Sequence, residues 1–206
     1  MNNITREEVI ERLKSNRDFK GADLSNLDLS GLDISETDMR GANLAGANLS
    51  GSNLNFINAE EAVFERCNFE KAFITRANLK KAVFIAANLS NTNLSGADFE
   101  EANLYEAILT NAYMSGVSLK NSVLEKADLT SATCNLVSME GANLKMARLT
   151  GIDLGGAILI GADLSGADMS KARLIKAKAM NTNLEGTNLE GAFLFKADFT
   201  GATPSL

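Results

Sequence analysis

Large apolar side chains recur every five residues along nearly the whole chain. They take the third place in a unit that reads small residue, Asp or Asn, large apolar residue, and two polar or small residues, as in segment 47–51, Ala-Asn-Leu-Ser-Gly. From Leu24 to Phe199 this unit occurs 36 times without insertion or deletion, and its centre is Leu, Ile, Met or Phe in 33 of them. The exceptions are Ala59, Cys134 and Ala179. So strict a period predicts one regular architecture.

A period of five fits neither a long helix nor a long strand. On an α-helix, residues five apart are rotated by about 140°, so their side chains form no fixed face. Along a strand, residues five apart point to opposite sides. Within one unit, however, the small and the large residue are two apart and can point inwards from a three-residue strand. The last two residues suit a tight turn, so the pattern predicts a solenoid of short strands and turns.

The unit resembles the repeat of the pentapeptide-repeat family, whose motif is Ala, Asp or Asn, Leu and two variable residues. The resemblance covers roughly residues 17–203. Its clearest triplets are Ala22-Asp23-Leu24, Ala47-Asn48-Leu49, Ala102-Asn103-Leu104, Ala142-Asn143-Leu144 and Ala162-Asp163-Leu164. The resemblance implies an all-β solenoid, a right-handed quadrilateral β-helix with four units in each coil. The 36 units then make about nine coils, and a strand spacing of about 4.8 Å gives a rod about 45 Å long.

The two ends of the chain differ. Residues 1–16 break the period and predict a short N-terminal capping α-helix, with a capping box at Thr5 and Glu8 and a hydrophobic staple between Ile4 and Val9. We therefore expect a capping helix at 1–16, the repeats at 17–203 and a tail at 204–206. The residues after Thr200 are too few for a second helix. An uncapped end favours self-association.

Composition argues against several functions. The chain has no histidine, no glycine-rich phosphate loop and no metal-ligand spacing, so we expect no enzyme activity, no cofactor and no metal site. It carries 26 acidic and 20 basic residues without a basic stripe, which disfavours direct binding to nucleic acid. Cys67 and Cys134 lie at inward positions 13 units apart and are expected to be buried, unreactive thiols. Without a membrane span or signal peptide, a cytoplasmic protein is expected.

Residues 20 apart should stack on one another if four units make a coil. Opposite charges then alternate along one side, at Glu60, Lys80, Glu100, Lys120 and Glu140. Asn48, Asn68 and Asn88 form another stack, above Asp28. Such pairs stabilise a sheet modestly and keep its surface hydrated, so we interpret both stacks as structural.

Apolar residues at outward positions are better candidates for contact surfaces, because exposed apolar patches usually mark interfaces. One set near the C-terminal end is the candidate homodimer interface: Ile158, Ile160, Ile175, Met180, Phe193 and Phe195. A central set is the candidate partner surface, with Phe73 and Tyr113 on one face and Val63, Val83, Ile85, Tyr105 and Val123 on another. An acidic patch is predicted near the N-terminus: Asp23, Asp28, Asp33, Glu36 and Asp38.

These features leave two hypotheses for function. The first is a non-catalytic protein–protein interaction scaffold with an unknown protein partner. The alternative is a DNA mimic that binds or protects a type II topoisomerase such as DNA gyrase, as the resemblance implies for some family members. Those members dimerise through a C-terminal helix, which this chain lacks. Duplex DNA carries one negative charge per about 1.7 Å, whereas the net charge here is only −6.

Overall fold

Four five-residue units make one complete lap of the chain. In the computed structural model, which describes residues 4–205, every isolated parallel β-bridge joins residues 20 apart, from Asp18↔Asp38 to Asn183↔Thr203. The predicted 20-residue lap is therefore confirmed. The handedness and the number of about nine coils stay predictions.

The strands are shorter than the sequence suggested. Each unit contributes one bridged residue, at its Asp or Asn position, and no extended strand occurs among the described residues. The expectation of three-residue strands was wrong, because the chain turns immediately after each central residue. Backbone bonds nevertheless join consecutive laps at every unit, as in Leu24 N–H to Asn43 O at 2.7 Å.

The central residues fill the interior. Every central side chain from Phe19 to Leu184 is at most 3% exposed, and the small residues two places earlier complete the packing. Phe64 and Phe84, one lap apart, stack with ring centroids 4.9 Å apart, and Phe99 packs 5.3 Å from Phe84. The result is one continuous apolar column that leaves no bore.

Each unit ends in a turn whose last residue has a left-handed backbone. From Gly21 to Gly201, φ at this position, called here the turn tip, lies between 53° and 75°. The turn is closed by a hydrogen bond such as Ala42 N–H to Met39 O at 2.9 Å. Left-handed φ is most unfavourable for β-branched residues, and no turn tip is Val, Ile or Thr. The fifth place of the unit is therefore set by backbone conformation.

Asp and Asn serve the same structural purpose at the bridged position. The side-chain Oδ1 accepts the N–H two residues on, as in Ser30 to Asp28 and Ala45 to Asn43, both at 3.1 Å. Asn side chains also donate to the residue one lap below, which joins Asn88, Asn68 and Asn48 to Asp28. The predicted stack of amides is confirmed.

The carboxylates of the first lap are stabilised in their charged form. Hydrogen bonds from the hydroxyl and the backbone N–H of Ser25, Ser30 and Ser35 lower the pKa of Asp23, Asp28 and Asp33, respectively. The Arg40 guanidinium lowers the pKa of Asp38 in the same way. These four groups therefore stay ionised in the native protein at neutral pH.

Helix α1 (Arg6–Ser15) closes the N-terminal end of the stack. Thr5 is its N-cap, and the predicted capping box with Glu8 is present. Val9 is fully buried against the first lap, with Ile4 and Leu13 partly buried beside it. The predicted helix also included residues 1–3, which lie outside the described residues. At the opposite end Leu189, Leu194 and Phe199 are only partly buried, so that end of the column is open.

A substitution at a turn tip tests the backbone requirement. A Cβ added at Gly161 would meet no atom within 4 Å, so only conformation is altered. Gly161→Val should destabilise the protein by about 1–2 kcal/mol, because a β-branched residue resists left-handed φ. The control Gly161→Asn, a residue that tolerates this region, should cost less than half as much. Guanidinium unfolding followed by circular dichroism measures both, and equal losses would contradict the interpretation.

The lowered pKa values predict acid sensitivity at the N-terminal lap. A carboxyl group whose pKa falls on folding stabilises the native state above its unfolded pKa, and this contribution disappears as pH drops below about 4. A variant with Asn at positions 23, 28, 33 and 38 keeps the Oδ1 acceptors and removes the charges. Wild type should therefore lose more thermal stability between pH 7 and pH 3 than this variant. Equal decreases in melting temperature would refute the assignment.

Candidate interaction surfaces

One side of the stack carries most of the exposed aromatic side chains. Bridges place Phe73, Asn93 and Tyr113 one above another in a single column of units. Phe73 and Tyr113 are 51% and 59% exposed. Phe56 and Leu136 are turn tips of the same column, at 51% and 71%. We call these four residues the apolar stripe.

The centre of the apolar stripe is free of charge. Between Arg76 and Asp153 this column of units presents nine outward residues, none of them ionisable at neutral pH: Asn93, Ser95, Gly96, Tyr113, Ser115, Gly116, Thr133, Asn135 and Leu136. No other column of units presents more than six consecutive uncharged outward residues in the described part of the chain. At one end Arg76 lies over the Phe56 ring, 6.0 Å from its centroid.

The other members of the predicted partner surface lie elsewhere. Val63 and Val83 are bridged to each other in a column two units, or half a lap, from Phe73. Their neighbours Ile85, Tyr105 and Val123 belong to the same column. All five are only partly exposed. The predicted set therefore forms two surfaces on opposite sides of the stack, and the apolar stripe is the more exposed one.

The candidate dimer residues occupy two adjacent sides near the C-terminal end. Phe193, with Ile175 and Phe195, lies in the column of the apolar stripe, to which a continuous series of bridges connects it. Phe193 and Phe195 are 61% and 66% exposed, and Lys196 covers part of the Phe195 ring at 5.3 Å. The remaining members are partly exposed in their columns: Ile158, Ile160, Ile175 and Met180.

The acidic residues near the N-terminus form a ring. Asp23, Asp28, Asp33 and Asp38 occupy four consecutive units and so point to four successive sides of the first lap, with Glu36 at a turn tip between the last two. The expectation of a single patch was wrong, because consecutive units never share a side. Arg6 lies 3.8 Å from Asp28 and Arg17 3.9 Å from Asp33, which reduces the negative potential on two sides.

The alternating charges pair as expected from 20-residue stacking. Lys80 Nζ lies 2.8 Å from Glu100 and also 3.3 Å from Asp98, and Lys120 lies 3.7 Å from Glu140. The pKa of Lys80 is raised and that of Glu100 lowered, chiefly by the hydrogen bond between them. These exposed charges are therefore paired with one another within the chain.

The surface offers shallow depressions and no deep cleft among the described residues. One depression, lined by Lys20, Arg40, Glu60 and Glu61, holds charges of both signs. Another lies beside α1. Both thiols are buried in the apolar interior of the stack. Burial raises the pKa of Cys67 to about 12 and also raises the pKa of Cys134. The arrangement therefore suits contact with another macromolecule better than chemistry.

Sequence reasoning missed four exposed apolar residues. Phe56, Leu136 and Met146 are turn tips, and Ile108 is a bridged residue that points outwards at 43% exposure. Their place in the unit, either one residue before the centre or two residues after it, was the signal in the sequence that could have identified them as exposed. A residue two places beyond the centre lies at the corner of the lap, and most residues at this place are exposed.

No helix in the described part of the chain is both long and apolar enough to cross a membrane. A search among curated proteins found no significant match. The structure is similar to that of HetL, a pentapeptide repeat protein involved in heterocyst differentiation regulation from the cyanobacterium Nostoc sp. strain PCC 7120. The two chains are 28% identical with a TM-score of 0.53, and the match covers 97% of this chain and 96% of HetL. QnrB1, a plasmid-mediated fluoroquinolone resistance protein, matches at 20% identity and TM-score 0.47, over 90% of this chain and 85% of QnrB1.

The sequence itself matches a family profile described as pentapeptide repeats, in eight copies. The matched residues are 15–41, 42–80, 82–121, 107–145, 147–186 and 180–203. They cover nearly all the units that the bridges join into laps. This chain belongs to the pentapeptide-repeat family.

Proposed function

We propose that this protein is a rigid, non-catalytic scaffold that binds a protein partner through the apolar stripe. The observation that carries the proposal is the uncharged run around Tyr113 and Leu136, which are more than half exposed. The centres of protein interfaces are depleted in charge and enriched in aromatic residues. On this proposal the partner is a cytosolic protein whose contact surface is itself largely apolar.

The filled interior supports a scaffold. A column of buried side chains and bonds between laps hold each outward residue in place, so little conformational entropy is lost on binding. Phe73 and Tyr113, two laps apart, are separated by about 10 Å along the axis. This spacing suits a partner that contacts several laps across a surface without a groove. Neither the sequence matches nor the surface indicates a catalytic family.

A DNA mimic directed at a type II topoisomerase is the second candidate, and the ionised carboxylates of the first lap favour it. Their ring geometry is unlike a duplex, however, which displays its phosphates along its length. Lys80 and Lys120 also neutralise part of the negative charge on one side, through their pairs with Glu100 and Glu140. We therefore rank this function below the scaffold.

A homodimer through the outward C-terminal residues is part of the proposal. Phe193 and Phe195 project from adjacent positions of one unit, beside Ile175 one lap below. Ile158, Ile160 and Met180 extend the apolar surface onto the next side. Two exposed phenylalanines next to one another are better buried in a contact than left in water.

Partner capture with matched variants tests the scaffold. The stripe variant carries Phe73→Ser, Tyr113→Ser and Leu136→Ser. The control carries Val63→Ser, Tyr105→Ser and Val123→Ser on the opposite side. A partner retained by wild type and by the control should bind the stripe variant about tenfold or more weakly, because central apolar residues dominate interface energy. Equal binding by both variants would contradict the assigned surface.

A supercoiling assay with DNA gyrase, with and without ciprofloxacin, separates the two functions. The scaffold predicts neither inhibition nor protection at micromolar protein. Inhibition or protection that disappears in the variant with Asn at positions 23, 28, 33 and 38 would instead establish the mimic. That variant keeps the side-chain oxygens that accept hydrogen bonds in the fold. A loss of inhibition or protection would therefore result from the missing negative charges.

Light scattering after size exclusion tests the dimer. Wild type should elute with the mass of two chains, and Phe193→Asp with Phe195→Asp should give the mass of one, because two charges cannot be buried in the contact. Asp198→Asn, a neighbouring charge change outside the apolar set, is the control. Unchanged association of the double variant would remove the proposal.

A further inference from the structure

More of the backbone hydrogen bonds between laps are donated upwards than downwards along the axis of the stack. For each unit, two N–H groups of the lower lap donate upwards, as in Leu24 to Asn43 O at 2.7 Å and Asn26 to Ala45 O at 2.9 Å. One N–H of the upper lap donates downwards, as in Asn43 to Ala22 O at 2.9 Å. The C-terminal end must therefore present a surplus of donors, and the N-terminal end a surplus of carbonyls.

Two arginine side chains satisfy surplus carbonyls at the N-terminal end. The Arg6 guanidinium donates to the backbone oxygens of Asp28 and Ser30, the latter at 3.1 Å. Arg17 does the same on the next unit, with Ser35 O and, at 3.3 Å, Asp33 O. Each planar guanidinium spans the two carbonyls of one unit, as its pair of parallel donors allows. Together with α1, they close this end.

Within residues 4–205, the C-terminal end carries the complementary set. Seven N–H groups that would bond to a next lap have no acceptor among residues 4–205: those of Gly186, Leu189, Gly191, Leu194, Lys196, Phe199 and Gly201. Within the same residues, the carbonyls of Thr187, Ala192, Ala197 and Ala202 face the same way and accept no bond. The partly buried Leu189, Leu194 and Phe199 lie in the middle. We call this surface the C-terminal plate.

We propose that the C-terminal plate is shaped to receive the N-terminal carbonyl edge of a second copy, and that α1 with Arg6 and Arg17 blocks this stacking in the free protein. Displacement of α1 then allows head-to-tail growth into rods, because the interface is heterologous and does not close. Each junction continues the solenoid and gives every plate donor an acceptor.

Tail-to-tail pairing of two plates is a poorer match. It would bring fourteen donors together with eight acceptors, and buried donors without acceptors are strongly unfavourable. The carbonyl edge, in contrast, presents two acceptors and one donor per unit. The occupant that complements the plate is thus the opposite end of the same chain. This inference does not depend on the partner or the outward dimer contact proposed above.

The test uses the full-length chain with its cap loosened. The uncapped variant carries Arg6→Gln, Val9→Asp and Arg17→Gln, which remove both guanidinium contacts and place a charge in the α1 contact. Sedimentation velocity and electron microscopy should show wild type in small discrete particles. The uncapped variant should form rods of constant width whose length grows with concentration. Amide exchange of the plate residues should slow by about tenfold or more in the rods and be fast in wild type.

Two further variants in the uncapped background locate the contact. Leu194→Lys places a charge in the middle of the plate and should abolish the rods. Glu190→Lys, at an exposed outward position of the same lap and outside the candidate dimer set, should leave them intact. Amide exchange in the uncapped protein keeps the test decisive even if Leu194→Lys disturbs the last units.

Three results would overturn the proposal. The first is slow plate exchange in wild type, which would mean that the plate is already occupied. The second is an uncapped variant that remains a single particle or aggregates irregularly with fast plate exchange. The third is loss of rods on Glu190→Lys as complete as that on Leu194→Lys, which would show a sideways contact.

Discussion

Hydrogen bonds between residues one lap apart are the constraint on which the rest of this structure depends. A single bridged residue per unit is too little to form a strand in isolation, yet every unit is bonded to the laps above and below. Those bonds form only if each lap has the same length. Constant length in turn requires a turn of fixed conformation after every centre, and hence a residue that accepts left-handed φ.

This constraint explains which properties could be predicted from the sequence. The five-residue period predicted the solenoid and the buried centres, because both follow from repetition alone. The 20-residue lap was predicted from the resemblance to the pentapeptide-repeat family. The capping box at Thr5 and Glu8 is a local signal, and it located the helix. Strand length was not predictable in this way, since it depends on where the chain turns, and the turn follows the centre immediately.

Exposure was predicted less well than position. The sequence identified Val63, Val83 and Val123 as outward residues, but their neighbours along the column cover part of each. Phe56 and Leu136 were missed, although residues at the corner of the lap are generally more exposed than bridged ones. The acidic residues were correctly placed near the N-terminus, yet sequence proximity suggested a patch where the winding of the chain makes a ring. Surface geometry in a solenoid is a property of the lap, and neighbours in sequence are rarely neighbours on a side.

Because one unit is a quarter of a lap, the length of the stack and the alignment of its sides can change separately, whereas most folds couple them. Loss or gain of four units would change the length by one strand spacing, about 4.8 Å, and leave every remaining side aligned. Loss of a single unit would instead rotate all later residues by a quarter revolution relative to the earlier ones. Genetic changes in multiples of 20 residues can therefore tune the reach of this molecule, whereas those of five rearrange which of its surfaces face the same way.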